Sequence, residues 1–210
     1  MLVREEMVGF KFKGKRTYVH GTDIFQATLE FVLRALGDYP SRLDGYLHHL
    51  LRNNALFCLH KDKAIEKDDK LCAYFSLEFG DQKYWVSVLD SGEPITSSRE
   101  YDEANVVSLC SLAGDVAVMA FKDAYTYIEQ YVAMTKYLHS AVYPDATRKG
   151  KWLFTRIQLQ NAIDPNLYSQ ATIMEVEFEQ NFHNRLTRSS LRMNNTLIGY
   201  IFFSLLQNRG

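Results

Sequence analysis

The sequence predicts an α+β fold of two units in tandem, each with one long helix laid on an antiparallel sheet. Two stretches carry the three- and four-residue apolar spacing of a buried helix stripe, one from Asp23 to about Leu36 and one from Asp123 to about Val142. Each is preceded by an alternating strand and followed by a run of further strands, which favours antiparallel pairing with the helix on one face of a curved sheet. The order of elements then repeats, dividing the chain into residues 1–113 and 114–210, packed as one globular body.

In the first half, Val8-Gly9-Phe10-Lys11-Phe12-Lys13 alternates, Gly14 permits a turn, and Arg16 to His20 alternates again before the helix. Phe25, Leu29, Val32 and Leu36 form the apolar stripe, with Thr22 or Asp23 as the cap and Gly37, Asp38 and Pro40 as the stop. Tyr46 to His60 reads as mainly strand, and the charged run from Lys61 to Lys70 as a solvated loop. Leu71 to Phe79 and Tyr84 to Leu89 flank Gly80-Asp81 as a hairpin, Asp90 to Glu103 is loop, and Val106 to Ala113 is β-rich.

In the second half, Val116 to Phe121 is a strand leading into the helix from Asp123, which ends before Tyr143-Pro144-Asp145. Strands are expected over 152–163, 171–178, 184–192 and 196–206. Asp23, Phe25, Phe31 and Val32 match Asp123, Tyr125, Tyr131 and Val132 at a constant offset, 123 − 23 = 100. Tyr39-Pro40 and Tyr143-Pro144 follow the helices; Asn54-Ala55-Leu56 pairs with Asn161-Ala162-Ile163, and Leu77-Glu78-Phe79 with Val176-Glu177-Phe178.

Bulk properties exclude several classes. The 47% hydrophobic content supports a real core, and 24 basic against 25 acidic residues gives no footprint for nucleic acid. No apolar run approaches the roughly 18 residues of a membrane-spanning helix, and Met1-Leu2-Val3-Arg4-Glu5-Glu6 lacks the apolar core of a signal peptide, so a cytoplasmic protein is expected. Cys58, Cys72 and Cys110 lack metal-ligand spacing and sit in apolar runs, as reduced core thiols do. Adjacent His48 and His49 point to opposite faces of a strand and cannot share one ion, so neither a metal nor a cofactor is expected.

A strand, a central helix and an antiparallel sheet wrapped around it resemble the hotdog fold, and two in one chain resemble a double hotdog. His20-Gly21 followed by Gln26-Ala27-Thr28-Leu29-Glu30-Phe31 is similar to the Gly-His, Asn-Ala and Tyr-Leu pattern of hotdog thioesterases, with His and Gly in reversed order and Gln in place of Asn. The Gly- and Pro-rich segment that follows the histidine in hotdog dehydratases is absent.

The resemblance implies acyl thioesters on coenzyme A or an acyl carrier protein, processed by a thioesterase or a dehydratase-like lyase. It also implies a site between the two units near the first helix N-terminus. His20, Asp23 and Glu129 are the catalytic candidates, with Tyr18, Gly21, Gln26, Tyr125 and Gln130 binding substrate. Each has a plainer reading: His20 as a turn residue, Asp23 as a cap paralleled by Asp123, Glu129 as a helix-surface acid, the tyrosines as core. His183, Arg185, Arg188 and Arg192 are either a solvated strand face or a contact for carrier phosphates. The other functional class is a non-catalytic double hotdog that binds an acyl carrier, a small hydrophobic ligand or a protein partner, as a monomer or homodimer.

Overall fold

The computed structural model describes residues 1–61, 69–161, 163–183 and 185–207, so most of the expected loop from Lys61 to Lys70 lies outside the described residues. Two units, Met1–Tyr101 and Asp102–Gly210, divide the chain. The first holds β1 (Leu2–Val8), β2 (Phe12–Lys13), α1 (Gly21–Leu36), β3 (Arg42–Leu47), β4 (Asn53–Lys61), β5 (Leu71–Phe79), β6 (Gln82–Pro94) and β7 (Ser98–Arg99). The second holds α2 (Glu103–Val106), β8 (Ser111–Ala113), β9 (Val116–Ala120), α3 (Tyr127–Val142), α4 (Pro144–Lys149), β10 (Gly150–Leu159), β11 (Ile173–Phe182), β12 (Leu186–Met193) and β13 (Thr196–Gln207).

Helix α1 is amphipathic as its spacing demands. Ile24, Phe25, Leu29, Phe31 and Val32 are buried, whereas Glu30 and Arg34 face outward and Leu36 is half-buried. Phe31 meets the ring of Phe57 on β4 edge-on at 5.7 Å, and Phe25 meets Phe75 on β5 at 6.3 Å. The helix ends where Gly37 takes φ 80° and donates its N–H to the Leu33 carbonyl. Its start differs from expectation, because His20 is the N-cap residue and Asp23 is the third residue of the helix. The Asp23 carboxylate is drawn instead to Lys13 and Arg99.

The five longer strands of the first unit pair in the order β1-β4-β6-β5-β3, each antiparallel to its neighbour. The expected hairpin is β5–β6, turning at Gly80-Asp81. In the second unit the order is β8-β9-β11-β12-β13-β10, again antiparallel. Leaving aside the two- and three-residue strands β2, β7 and β8 and the short helices α2 and α4, both units run strand, long helix and four further strands, and strands are counted on that basis. They differ in pairing, since the third strand of the first unit (β4) lies beside the fifth (β6), and that of the second (β11) beside the fourth (β12).

The second helix begins later than the sequence indicates. Thr126, not Asp123, caps α3 in a reciprocal box with Glu129, and the Asp123 carboxylate accepts a hydrogen bond from Gln170 instead. Aligning N-cap with N-cap gives an offset of 126 − 20 = 106 rather than 100, so the helix counterpart of Asp23 is Glu129. One strand match also fails in position, because Asn54 lies in β4 but Asn161 follows β10, whereas Leu77 and Val176 both lie inside strands, β5 and β11. The β-rich reading of 106–113 is likewise replaced by the end of α2, a turn, and the short strand β8.

Close approach of two strands makes Gly199 a sensitive point. It pairs with Leu159, and a Cβ there would lie 2.0 Å from the Gln158 carbonyl oxygen of β10. Backbone cannot retreat as a flexible side chain can, so Gly199→Ala is expected to lower stability by about 3 kcal/mol, at the upper end of the range for overpacking. Urea unfolding followed by circular dichroism measures this, and an unchanged midpoint would contradict the strand approach.

Candidate functional site

The polar corner before α1 is assembled by a small clip at the edge of the first unit. β2 and β7 pair in parallel, Phe12 beside Ser98 and Lys13 beside Arg99. Gly14 takes φ 59° and donates its N–H to the Arg99 carbonyl, turning the chain away immediately after Lys13. The clip delivers two cations to one carboxylate: Lys13 Nζ lies 2.9 Å and Arg99 2.8 Å from Asp23 Oδ1. Asp23 Oδ2 is buried and has no hydrogen-bond partner among the described residues.

Around that ion group the packing is close. Lys13, Thr22 and His20 retain 0%, 1% and 5% of their surface, so the Lys13 charge lies wholly inside the protein. Its ammonium donates to Thr22 Oγ1 at 2.8 Å and sits 4.7 Å from the centre of the Tyr101 ring. Arg16 lies 5.4 Å from the same ring, and His20 packs against Tyr101 with centroids 6.0 Å apart. His20 Nδ1 is 2.7 Å from Thr22 Oγ1, and the preceding residue is fixed by a hydrogen bond from Val19 N to the Leu51 carbonyl.

His20 supplies no side-chain cap to α1. Among the described residues no acceptor meets the N–H groups of Gly21 or Thr22, whereas those of Asp23 and Ile24 reach the His20 carbonyl at 2.9 and 3.3 Å. The N-terminus of α1 therefore carries two donors and a positive dipole end beside a buried imidazole, an arrangement able to polarise a carbonyl or hold an oxyanion.

The remaining candidates distribute between the units. Tyr18 and Gln26 are half-buried in the first; the Gln26 amide nitrogen donates to Glu30 at 3.0 Å, and its buried oxygen has no partner among the described residues. Glu129, Gln130 and Tyr125 belong to the second unit, where they hold the start of α3. Glu129 Oε2 accepts from Thr126 N and Oγ1. Gln130 accepts from Lys122 N and donates to the Lys122 and Tyr125 carbonyls, and Tyr125 accepts from Asn105.

Arg188 and Arg192 face Glu179 and Glu177 on the adjoining strand, at 3.4 and 3.8 Å. Cys58 and Cys72 are buried free thiols, and burial pushes the Cys72 thiol up to about 11. Among the described residues no cluster of His, Cys, Asp and Glu is suited to hold a metal ion, and no helix is long and apolar enough to cross a membrane. Sequence reasoning missed Lys13, Arg99 and Tyr101. Lys13 looks like any solvent-facing position of Lys11-Phe12-Lys13, and Arg99 reaches Asp23 across 76 residues.

A protein from Novosphingobium aromaticivorans described as a thioesterase superposes on 99% of this chain and 98% of its own, with 11% identity and a TM-score of 0.51. The chain has the hotdog fold. Two further similar structures are the tesB protein of Mycobacterium avium subs paratuberculosis (98% and 96% covered, 11% identical, TM-score 0.48) and the dehydratase domain of PpsC from Mycobacterium tuberculosis (96% and 92%, 8%, 0.48). No protein-family model and no curated protein matches the sequence. The Lys13-His20-Asp23 group stands at the N-terminus of α1, the long helix of the first unit.

The second unit contains a buried imidazole that the sequence did not single out. His139 on α3 stacks on Trp152 at 4.5 Å, meets Phe203 and Phe178 edge-on, and packs against Tyr143. Thr187 Oγ1 lies 3.0 Å from His139 Nε2 and 3.4 Å from the Phe203 carbonyl, and the buried Nδ1 has no hydrogen-bond partner among the described residues. Desolvation in this apolar cage pushes the imidazole down to about 4 from 6.5. The unfolded chain thus binds the proton more tightly than the folded one, and stability falls as pH drops from about 6.5 towards 4. The loss amounts to about 3 kcal/mol over that window. Urea titrations across it should show this slope in the wild type and a shallower one in His139→Phe.

Proposed function

We propose that this protein processes an acyl thioester carried on coenzyme A or an acyl carrier protein, as a thioesterase or a dehydratase-like lyase, with its site at the N-terminus of α1. We further infer a tandem double hotdog, supported by the order of strand, helix and four strands in each unit. The observation that carries the functional reading is the pair of Gly21 and Thr22 N–H groups, without an acceptor among the described residues, beside the buried His20 at the start of the first unit's long helix.

A thioester carbonyl placed against those donors gains hydrogen bonds as its oxygen becomes an oxyanion, and the aligned helix dipole adds to them without rearrangement. His20 is the base or the carbonyl-orienting group, and Asp23 Oδ2 is an acceptor for a water or a substrate proton. The Novosphingobium aromaticivorans structure is described as a thioesterase, and that chemistry is the class carried over here. Glu129 and Gln130 already fasten the start of α3, so the reading rests on the first unit's residues.

A second reading has its own support. The near-complete burial of Lys13, His20 and Thr22 under Tyr101 fits a corner closed by packing, in a protein that binds an acyl carrier, a hydrophobic ligand or a protein partner without turnover.

One assay separates the two. Short, long and aromatic acyl thioesters of coenzyme A and of an acyl carrier protein are offered, and thiol release and acyl mass are followed. Turnover that falls at least about 100-fold in a folded His20→Ala variant is expected for the enzyme. Full activity in that variant would remove the proposed site. Retention of a carrier without turnover by the folded wild type would establish the binding protein.

A further inference from the structure

We infer that Lys13 and Thr22 fix the tautomer of His20, so that its imidazole presents a hydrogen at Nε2 and a bare Nδ1. The hydrogens around one oxygen, Thr22 Oγ1, decide this. Thr22 Oγ1 has two neighbours among the described residues: Lys13 Nζ at 2.8 Å and His20 Nδ1 at 2.7 Å. An ammonium group has donors and no acceptor, so the oxygen accepts from Lys13 and its own hydrogen must go elsewhere.

Other helical threonines return that hydrogen to the carbonyl four residues back, as Thr28 does to Ile24 and Thr135 to Tyr131. Thr22 sits in the first turn of α1, where no helical carbonyl lies four residues behind it. Its hydrogen goes to His20 Nδ1. With a hydrogen already on Nδ1, two donors would face each other and the Thr22 hydroxyl, 1% exposed, would have no acceptor.

Asp23 holds the head of this chain in place. Its Oδ1 takes Lys13 and Arg99 together, which keeps the ammonium aimed at Thr22 on one side and over the Tyr101 ring on the other. Lys13 and Thr22 are thus positioning residues that act through His20.

The consequence for chemistry rests on the thioester reading above. A neutral His20 with hydrogen at Nε2 donates to a carbonyl oxygen alongside the Gly21 and Thr22 N–H groups, and the role of base falls to another acceptor, for which Asp23 Oδ2 is placed on the same helix turn. This selects the carbonyl-orienting role over the base. No proton leaves the imidazole in this role.

Long-range proton–nitrogen correlation spectra of the 15N-labelled full chain read the tautomer directly, with the His20 signals assigned by their loss in His20→Gln. A bare Nδ1 and a protonated Nε2 are expected in the wild type and in Thr22→Ser. Thr22→Val keeps the shape of the side chain, loses the hydroxyl, and is expected to give the averaged signals of two exchanging tautomers. In turnover, Thr22→Val should lower kcat about tenfold with little change in KM, and Thr22→Ser should restore it.

A protonated Nδ1 in the wild type, or a Thr22→Val spectrum identical to the wild type, overturns the inference. The spectra need no substrate. A bare Nδ1 in a protein that turns over no thioester would therefore sink the thioester reading and leave the tautomer standing, and a protonated Nδ1 in an active enzyme would do the reverse.

Discussion

A charge with no access to water dictates the architecture of the first unit's corner. The Lys13 ammonium is fully buried, and a buried ion left without partners is strongly destabilising, so the chain around it must provide them. Asp23 provides the opposite charge, Thr22 a hydrogen-bond acceptor and Tyr101 the negative face of a ring. Those three demands place α1 so that its first turn faces β2, draw the 98–101 segment alongside, and leave the helix without the side-chain cap that Asp23 would otherwise resemble.

The same constraint explains the contrast between the two long helices. At α3 the carboxylate of Glu129, three residues after its N-cap, folds back onto Thr126, and the donors of the first turn are answered locally. At α1 the acid at the equivalent position turns away to meet Lys13 and Arg99. One helix start is sealed by its own sequence. The other is held by cations from distant strands and keeps two backbone donors without acceptors among the described residues.

What could be read from sequence followed the range of the interactions concerned. Apolar periodicity is local, and it placed α1, the β5–β6 hairpin, β9 and β13 close to where they lie. His20 was legible as a corner residue because a strand pattern meets a helix pattern there. Lys13 was not, since alternation assigns every lysine of its segment to solvent and only a partner 86 positions away, Arg99 beside it across the parallel clip, reveals the exception. The residue match expected between the two long helices does not coincide with their starts, because Asp123 imitates Asp23 in type while Thr126 and Glu129 form the cap of α3, six residues out of step. Strand order within the sheet leaves no local trace at all, which is why the different neighbours of β4 and β11 were not foreseen.

The parallel clip between β2 and β7 also bears on the order in which the chain folds. It joins segments with nearly the whole first unit between them, and closing so long a loop is entropically unfavourable until the intervening hairpin and strands have brought its ends together. Helix α1 can form from local contacts long before that moment, with Asp23 still in water. The last step of folding in this unit is then the burial of a charge, and the residues that orient His20 reach their places only in the finished sheet.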